Sequence, residues 1–72
     1  MIRPHFDIRT ASGYLLNIYA PLQWNEVASV RKMVSDCREW LHNHHPEWCR
    51  ARIYLTHKSH TDVLLIERGQ IL

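Results

Sequence analysis

Alternating apolar and polar residues dominate the first part of the chain. The alternation runs from Phe6 to Thr10, and after a turn-forming segment at 11–13 a second run, 14–20, is rich in β-branched and aromatic residues. Because successive side chains of a strand point to opposite faces, this pattern predicts a β-hairpin. One face would carry Phe6, Ile8, Tyr14, Leu16 and Ile18, and the other His5, Asp7, Arg9, Leu15, Asn17 and Tyr19. Pro21 ends the second strand, because it has no N–H to donate.

A helical repeat follows the hairpin. Asn25 and Glu26 are typical of a helix start, since they offer a side-chain acceptor for free amides and an acid near the positive helix end. Apolar residues then recur every three or four positions, which predicts a one-sided helix of about five turns. They are Val27, Val30, Val34, Cys37 and Leu41. The helix is expected to end near His44, because Pro46 disfavours helical geometry in the residue before it.

The last third of the chain predicts a second hairpin. Segment 51–56 places Ile53 and Leu55 on one side, segment 63–66 is continuously apolar, and a turn is expected at 58–60. We therefore expect one α+β domain over the 72 residues, a two-layer ββαββ fold in which one long helix covers one face of a four-stranded antiparallel sheet. The other face would need a further cover. The residues assigned to it are Leu15, Tyr19, Tyr54, Leu64 and Ile66.

Composition and charge narrow the class of protein. An apolar share of 46%, with two glycines and three prolines, argues against disorder, and a chain of this length has room for one core. A net charge of +2 falls short of the basic clusters of a dedicated nucleic-acid protein. No run approaches the roughly 18 apolar residues of a membrane span, and no apolar leader is evident. We expect a cytoplasmic protein with reduced thiols that forms a homodimer or higher oligomer, because its core is small.

Histidine, cysteine and tryptophan cluster between positions 37 and 49. Imidazole and thiolate are good zinc ligands, but the paired Cys-x-x-Cys of zinc fingers is missing. Cys37 belongs to the apolar helical repeat, where a free cysteine behaves as a small hydrophobe. We therefore expect Cys37 and Cys49 to stay reduced and to bind no metal. His44 and His45 would then bind the last helix carbonyls, an arrangement that requires no cofactor.

The segment HHPEW at 44–48, after a long helix and before the segment IYLTH, resembles the pterin-4a-carbinolamine dehydratase family. The resemblance implies an enzyme in which His44 and His45 match the paired histidines of the site. The segment between Trp48 and His57 is shorter than in the family pattern, so either His57 or His60 could be the third histidine. Trp48 would form a wall of the cleft. Imidazoles could protonate the departing hydroxyl and accept a proton from the ring nitrogen.

The uncovered sheet face suggests two kinds of binding. Arginines bind phosphates and tyrosines stack on bases, so the face could hold single-stranded nucleic acid. The same residue types are enriched in protein interfaces, and the neighbouring leucines and isoleucine favour a protein partner. Our principal hypothesis is a small binding module that engages a protein partner or a second copy of itself. The residues expected to make this contact are Leu15, Tyr19, Arg52, Tyr54, Leu64 and Ile66. An enzyme is the second hypothesis, because so short a chain seldom encloses a catalytic pocket.

Overall fold

The computed structural model describes residues 1–69 and contains four strands and one helix. The elements are β1 (Arg3–Thr10), β2 (Leu15–Tyr19), α1 (Val30–His44), β3 (Trp48–Thr56) and β4 (Thr61–Glu67). The strands form one antiparallel sheet in the order β2-β1-β3-β4, so the two hairpins join through their first strands. The predicted α+β class and the ββαββ order are confirmed. Among residues 1–69, no helix has the length and apolar content that a membrane crossing requires.

The first hairpin has the register that its alternation predicts. Phe6 lies opposite Ile18, and Ile8 lies opposite Leu16, so these four side chains share the face covered by the helix. Gly13 closes the turn with a φ of +85°. Glycine reaches this region without steric cost, whereas a Cβ would introduce strain. The glycine in the turn and the alternation along both strands therefore favour the same pairing of β1 with β2.

The helix begins later than its sequence pattern predicts. It starts at Val30, and its N-cap is Ser29, whose side chain accepts a hydrogen bond of 3.1 Å from the backbone N–H of Lys32. The predicted start at Asn25 was wrong, because that side chain instead accepts from the N–H of Val27 within a local turn. Both residues are good caps, and the choice between them is made by packing. The predicted end near His44 is confirmed.

The core lies between the helix and the inner face of the sheet. The helix contributes Met33, Val34, Cys37 and Leu41, all buried. Phe6 and Trp48 are the largest side chains with no exposed surface, and they come from the two central strands. A parallel stack of the Phe6 and Trp40 rings, 5.4 Å between centroids, joins the sheet to the helix. Burial of these rings and aliphatic groups is the main stabilising contribution to the fold.

The second hairpin corrects the predicted composition of the sheet faces. Ile66 pairs with Ala51 and Leu64 pairs with Ile53, so both side chains lie on the helix side, where Ile66 is only 3% exposed. Their predicted place on the uncovered face was wrong. A continuously apolar strand has no alternation from which its phase can be read, and pairing with the neighbouring strand sets the phase instead. Val63 and Leu65 occupy the uncovered face.

Two arginines fasten the end of β4 to the rest of the fold. Arg38 on the helix donates hydrogen bonds of 2.7 Å to the carbonyl oxygens of Glu67 and Arg68. Arg68 in turn donates to the carbonyl oxygens of Pro46 and Trp48. Both guanidinium groups lie within 6 Å of the Trp48 ring centroid, close enough for cation–π attraction. The sheet edge is thereby held to the helix side of the domain.

Candidate binding face of the sheet

The sheet face opposite the helix, called the open face below, carries mixed polar, aromatic and apolar side chains. Its residues are Arg3, His5, Asp7, Arg9, Leu15, Asn17, Tyr19, Arg50, Arg52, Tyr54, Thr56, Thr61, Val63, Leu65 and Glu67. Antiparallel register aligns these side chains in rows that cross all four strands. Within residues 1–69, no helix covers this face.

One row of the open face forms the floor of a cleft. Arg9 on β1 lies directly opposite Arg50 on β3, and neither has a carboxylate within ion-pair distance among residues 1–69. Leu15 on β2 and Leu65 on β4 stand at the two sides of the cleft, whose volume is about 450 Å³. The cleft therefore combines an arginine pair on its floor with aliphatic side chains at its sides, and its lining also includes the carboxylates Asp7 and Glu67, the second of which pairs with Arg50 in register.

Weak hydrogen bonds connect the next row, which contains Asp7 and Arg52, to Tyr54 in the row beyond it. The Tyr54 hydroxyl donates to Oδ2 of Asp7 at 3.3 Å, and Nη1 of Arg52 donates to the same hydroxyl oxygen at 3.5 Å. The hydrogen bond to Tyr54, and secondly its charge, raise the pKa of Arg52. Asp7 thus accepts a hydrogen bond from Tyr54 in the neighbouring row, and within residues 1–69 it forms no ion pair with Arg9 or Arg50.

An aromatic row lies further along the face. The rings of His5 and Tyr19 stack with centroids 4.6 Å apart, and the Tyr54 ring lies 5.9 Å from His5 on the other side. Tyr19 is 79% exposed at the edge of the sheet. Because His5 and Tyr19 already stack on each other, one ring face of each is occupied within the protein.

The predicted histidine pair lies at the helix C-terminus and contacts Trp40. Nδ1 of His44 donates to the Trp40 carbonyl oxygen at 3.0 Å, and the His44 ring stacks on the Trp40 ring. The backbone N–H of His45 donates to the Leu41 carbonyl oxygen at 2.8 Å. These are the contacts with terminal helix carbonyls that a capping role requires.

The third predicted histidine lies at the opposite end of the domain. His45 precedes β3 and His57 follows it, so the nine extended residues of β3, roughly 30 Å at 3.3 Å per residue, separate them. The structure brings His57 together with His60, but it does not bring either to His44. Trp48 has no exposed surface, so its predicted place in a cleft wall was wrong. Residues 1–69 therefore contain no pocket shared by these histidines.

Both cysteines are free, and their surroundings differ. Cys37 is fully buried in the helix stripe, while Cys49 is partly exposed. Burial, and secondly the charge of Asp36, raise the pKa of the Cys37 thiol to about 12. Only the thiolate is an effective nucleophile or metal ligand, so Cys37 acts as a packing residue at neutral pH.

No protein-family model, curated protein or solved structure matches the chain. Sequence reasoning identified Leu15, Tyr19, Arg52 and Tyr54 as open-face residues, and the structure places all four there. It missed Leu65, because the apolar sequence of β4 does not show which of its residues face the helix and which face away from it. It also missed that the spacing His-x-x-His-x-Asp at 57–62 could group three metal-ligating side chains.

Proposed function

We propose that this chain is a small protein-binding module whose open face docks an acidic segment of a partner protein. The observation that carries the proposal is the arginine pair on the cleft floor. Like charges placed directly opposite each other destabilise a sheet, and within residues 1–69 no carboxylate lies within ion-pair distance of Arg9 or Arg50, although Glu67 is the cross-strand neighbour of Arg50. A partner carboxylate placed between two guanidinium groups would accept charge-assisted hydrogen bonds from both.

The sides of the cleft support a protein rather than a nucleic acid. Leu15 is 43% exposed and Leu65 is 68% exposed, so both can still bury aliphatic surface against a partner. Nucleic-acid bases stack on free aromatic faces, and His5 and Tyr19 each have one ring face occupied by the other. A partner that alternates acidic and aliphatic side chains would match both the floor and the sides.

A second copy of the chain is a less suitable occupant of this face. The open face carries the arginines Arg3, Arg9, Arg50 and Arg52 and the carboxylates Asp7 and Glu67. Two such faces stacked together would bring arginine pairs towards each other, a repulsion that opposes association. The homodimer expected from the small core is therefore an alternative that the experiment below also tests.

Titration of the isotopically labelled protein with a synthetic peptide of alternating Glu and Leu, followed by NMR, tests the proposal. The matched control peptide has Gln for Glu. We expect amide shifts along β1 and β3 that require the acidic peptide. Arg50→Gln should weaken binding by about 10- to 150-fold, since a charged hydrogen bond contributes roughly 1.5–3 kcal/mol. Arg31→Gln, an exposed helix arginine, should leave it unchanged.

Three outcomes would contradict the proposal. An oligothymidine that binds the open face more tightly than the acidic peptide, with the same dependence on Arg50, would identify a nucleic-acid surface. Dimerisation measured by light scattering, with shifts at open-face residues and no peptide binding, would identify a self-association surface. Peptide binding that is equally weakened by Arg31→Gln would mean that net charge, and not the cleft, attracts the peptide.

A further inference from the structure

A second group of polar side chains lies at the turn between β3 and β4, away from the cleft. His57 follows β3 and His60 precedes β4, and the N–H of His57 donates to the carbonyl oxygen of His60 at 2.8 Å. This backbone bond closes the turn and sets the two histidines opposite each other. Asp62 lies two residues beyond His60, and alternation along a strand places residues two apart on the same face. One potential ligand atom from each of these residues lies within 4.8 Å of the others.

The same ring nitrogen of both histidines lies close to one carboxylate oxygen. Nε2 of His57 is 2.9 Å from Oδ2 of Asp62, and Nε2 of His60 is 3.5 Å from that oxygen. A tetrahedral zinc ion, about 2.0–2.1 Å from each nitrogen or oxygen ligand, would separate those ligands by about 3.3 Å. The donor atoms are therefore already close to the spacing that such an ion requires.

The remaining ring nitrogens also have suitable neighbours. Nδ1 of His57 is 3.5 Å from Oε2 of Glu26, and Nδ1 of His60 is 3.4 Å from Oγ of Ser59. A histidine that binds a metal through one nitrogen usually donates the other N–H to a carboxylate or another oxygen, which fixes its tautomer. Here each histidine has an oxygen on its Nδ1 side and Asp62 on its Nε2 side.

Nε2 of His57 has no satisfactory partner within the described chain. The atom is shielded from solvent and makes no hydrogen bond. Asp62 is within ion-pair distance, so the missing hydrogen bond reflects an unsuitable angle at the ring nitrogen. A shielded polar atom without a partner is unfavourable, and a metal ion bound through its lone pair would remove this penalty.

We propose that His57, His60 and Asp62 bind a divalent transition-metal ion, with zinc as the best match, and that Glu26 orients His57. Two imidazoles and one carboxylate are a ligand set that zinc accepts, with a fourth position open to water. The two rings are stacked at 9° to each other, so His60 turns to direct its lone pair at the ion. Its side chain is 58% exposed and free to do so. Because this rotation and fixing of the His60 side chain costs conformational entropy, the expected dissociation constant is micromolar.

Calorimetric titration of the full chain with zinc chloride tests the site. We expect one ion per chain and a micromolar dissociation constant. His60→Ala should abolish binding, and Glu26→Gln should weaken it by about tenfold, because it removes the orienting carboxylate, together with the ion pair of Glu26 to the N-terminus, and leaves all three ligands in place. His44→Gln is the matched control, since that histidine lies at the other end of the domain. Zinc at a hundredfold excess over its dissociation constant should raise the melting temperature by about 11–22 °C.

The nitrogen resonances of the histidine rings provide a readout that does not depend on stability. On addition of zinc, those of Nε2 in His57 and His60 should shift, while those of the other histidines should not. The proposal is overturned if zinc fails to bind at millimolar concentration, or if binding survives in His60→Ala. It is equally overturned if His44→Gln abolishes binding, which would place the ion at the helix C-terminus.

Discussion

Replacing Ile66 with alanine tests the register of β4 against β3. The side chain is 3% exposed and belongs to the buried core cluster, where it lies opposite the small residue Ala51. A buried Ile→Ala change typically costs about 2–5 kcal/mol, part of it from the cavity left behind. Leu65, the preceding residue, is 68% exposed on the open face. Leu65→Ala should therefore cost about 0.5 kcal/mol or less.

These two costs translate into a large difference in thermal stability. A change of 1 kcal/mol shifts the melting temperature of a domain of this size by about 4–8 °C. With a cost of about 3 kcal/mol, Ile66→Ala should melt roughly 12–24 °C below the parent protein, while Leu65→Ala should stay within about 4 °C of it. The total stability expected for 72 residues is about 4–11 kcal/mol, so part of the Ile66→Ala population stays folded.

Thermal and urea unfolding followed by circular dichroism measures both variants. Ile66→Val, with an expected cost of about 0.5–1.5 kcal/mol, provides a milder version should Ile66→Ala not fold. The reasoning is refuted if Leu65→Ala is the more destabilising of the two, because that result would place β4 one residue out of register. Under the proposed function, Leu65→Ala should instead weaken binding of the acidic peptide.

Three further predictions concern individual residues. Iodoacetamide should modify Cys49 in the native protein, whereas Cys37, with a pKa of about 12, should react only on unfolding, as mass spectrometry would show. The Asp36 pKa is lowered, chiefly because the Trp24 Nε1–H donates to it at 2.9 Å, so its stabilising contribution is present above pH 3.8 and is lost as the pH falls further. Unfolding measured against pH should show this loss in the parent and not in Asp36→Asn. Gly13→Ala should cost about 1 kcal/mol by urea unfolding, because the residue has a positive φ; no cost would contradict that conformation.

The sequence predicts the fold correctly where a short segment is compatible with only one local structure. Strict alternation in β1, a glycine turn and Pro21 together define the first hairpin and the faces of its side chains. The end of the helix was equally predictable, because Pro46 limits the chain locally. The start of the helix was not, since Asn25 and Ser29 are both competent caps and only the position of the helix on the sheet selects between them.

The candidate sites depended more strongly on tertiary structure. The sequence by itself determined the ββαββ order and the residues of β1 and β3 that face away from the helix, because alternation is a local property of the chain. Only the pairing of β4 with β3 decided that Leu65, and not Ile66, flanks the cleft. The folded arrangement also separated His44 from His57 and brought Glu26 to His57, across 31 positions of the chain. Such contacts between distant segments follow from how the helix and strands pack, and no local pattern encodes them.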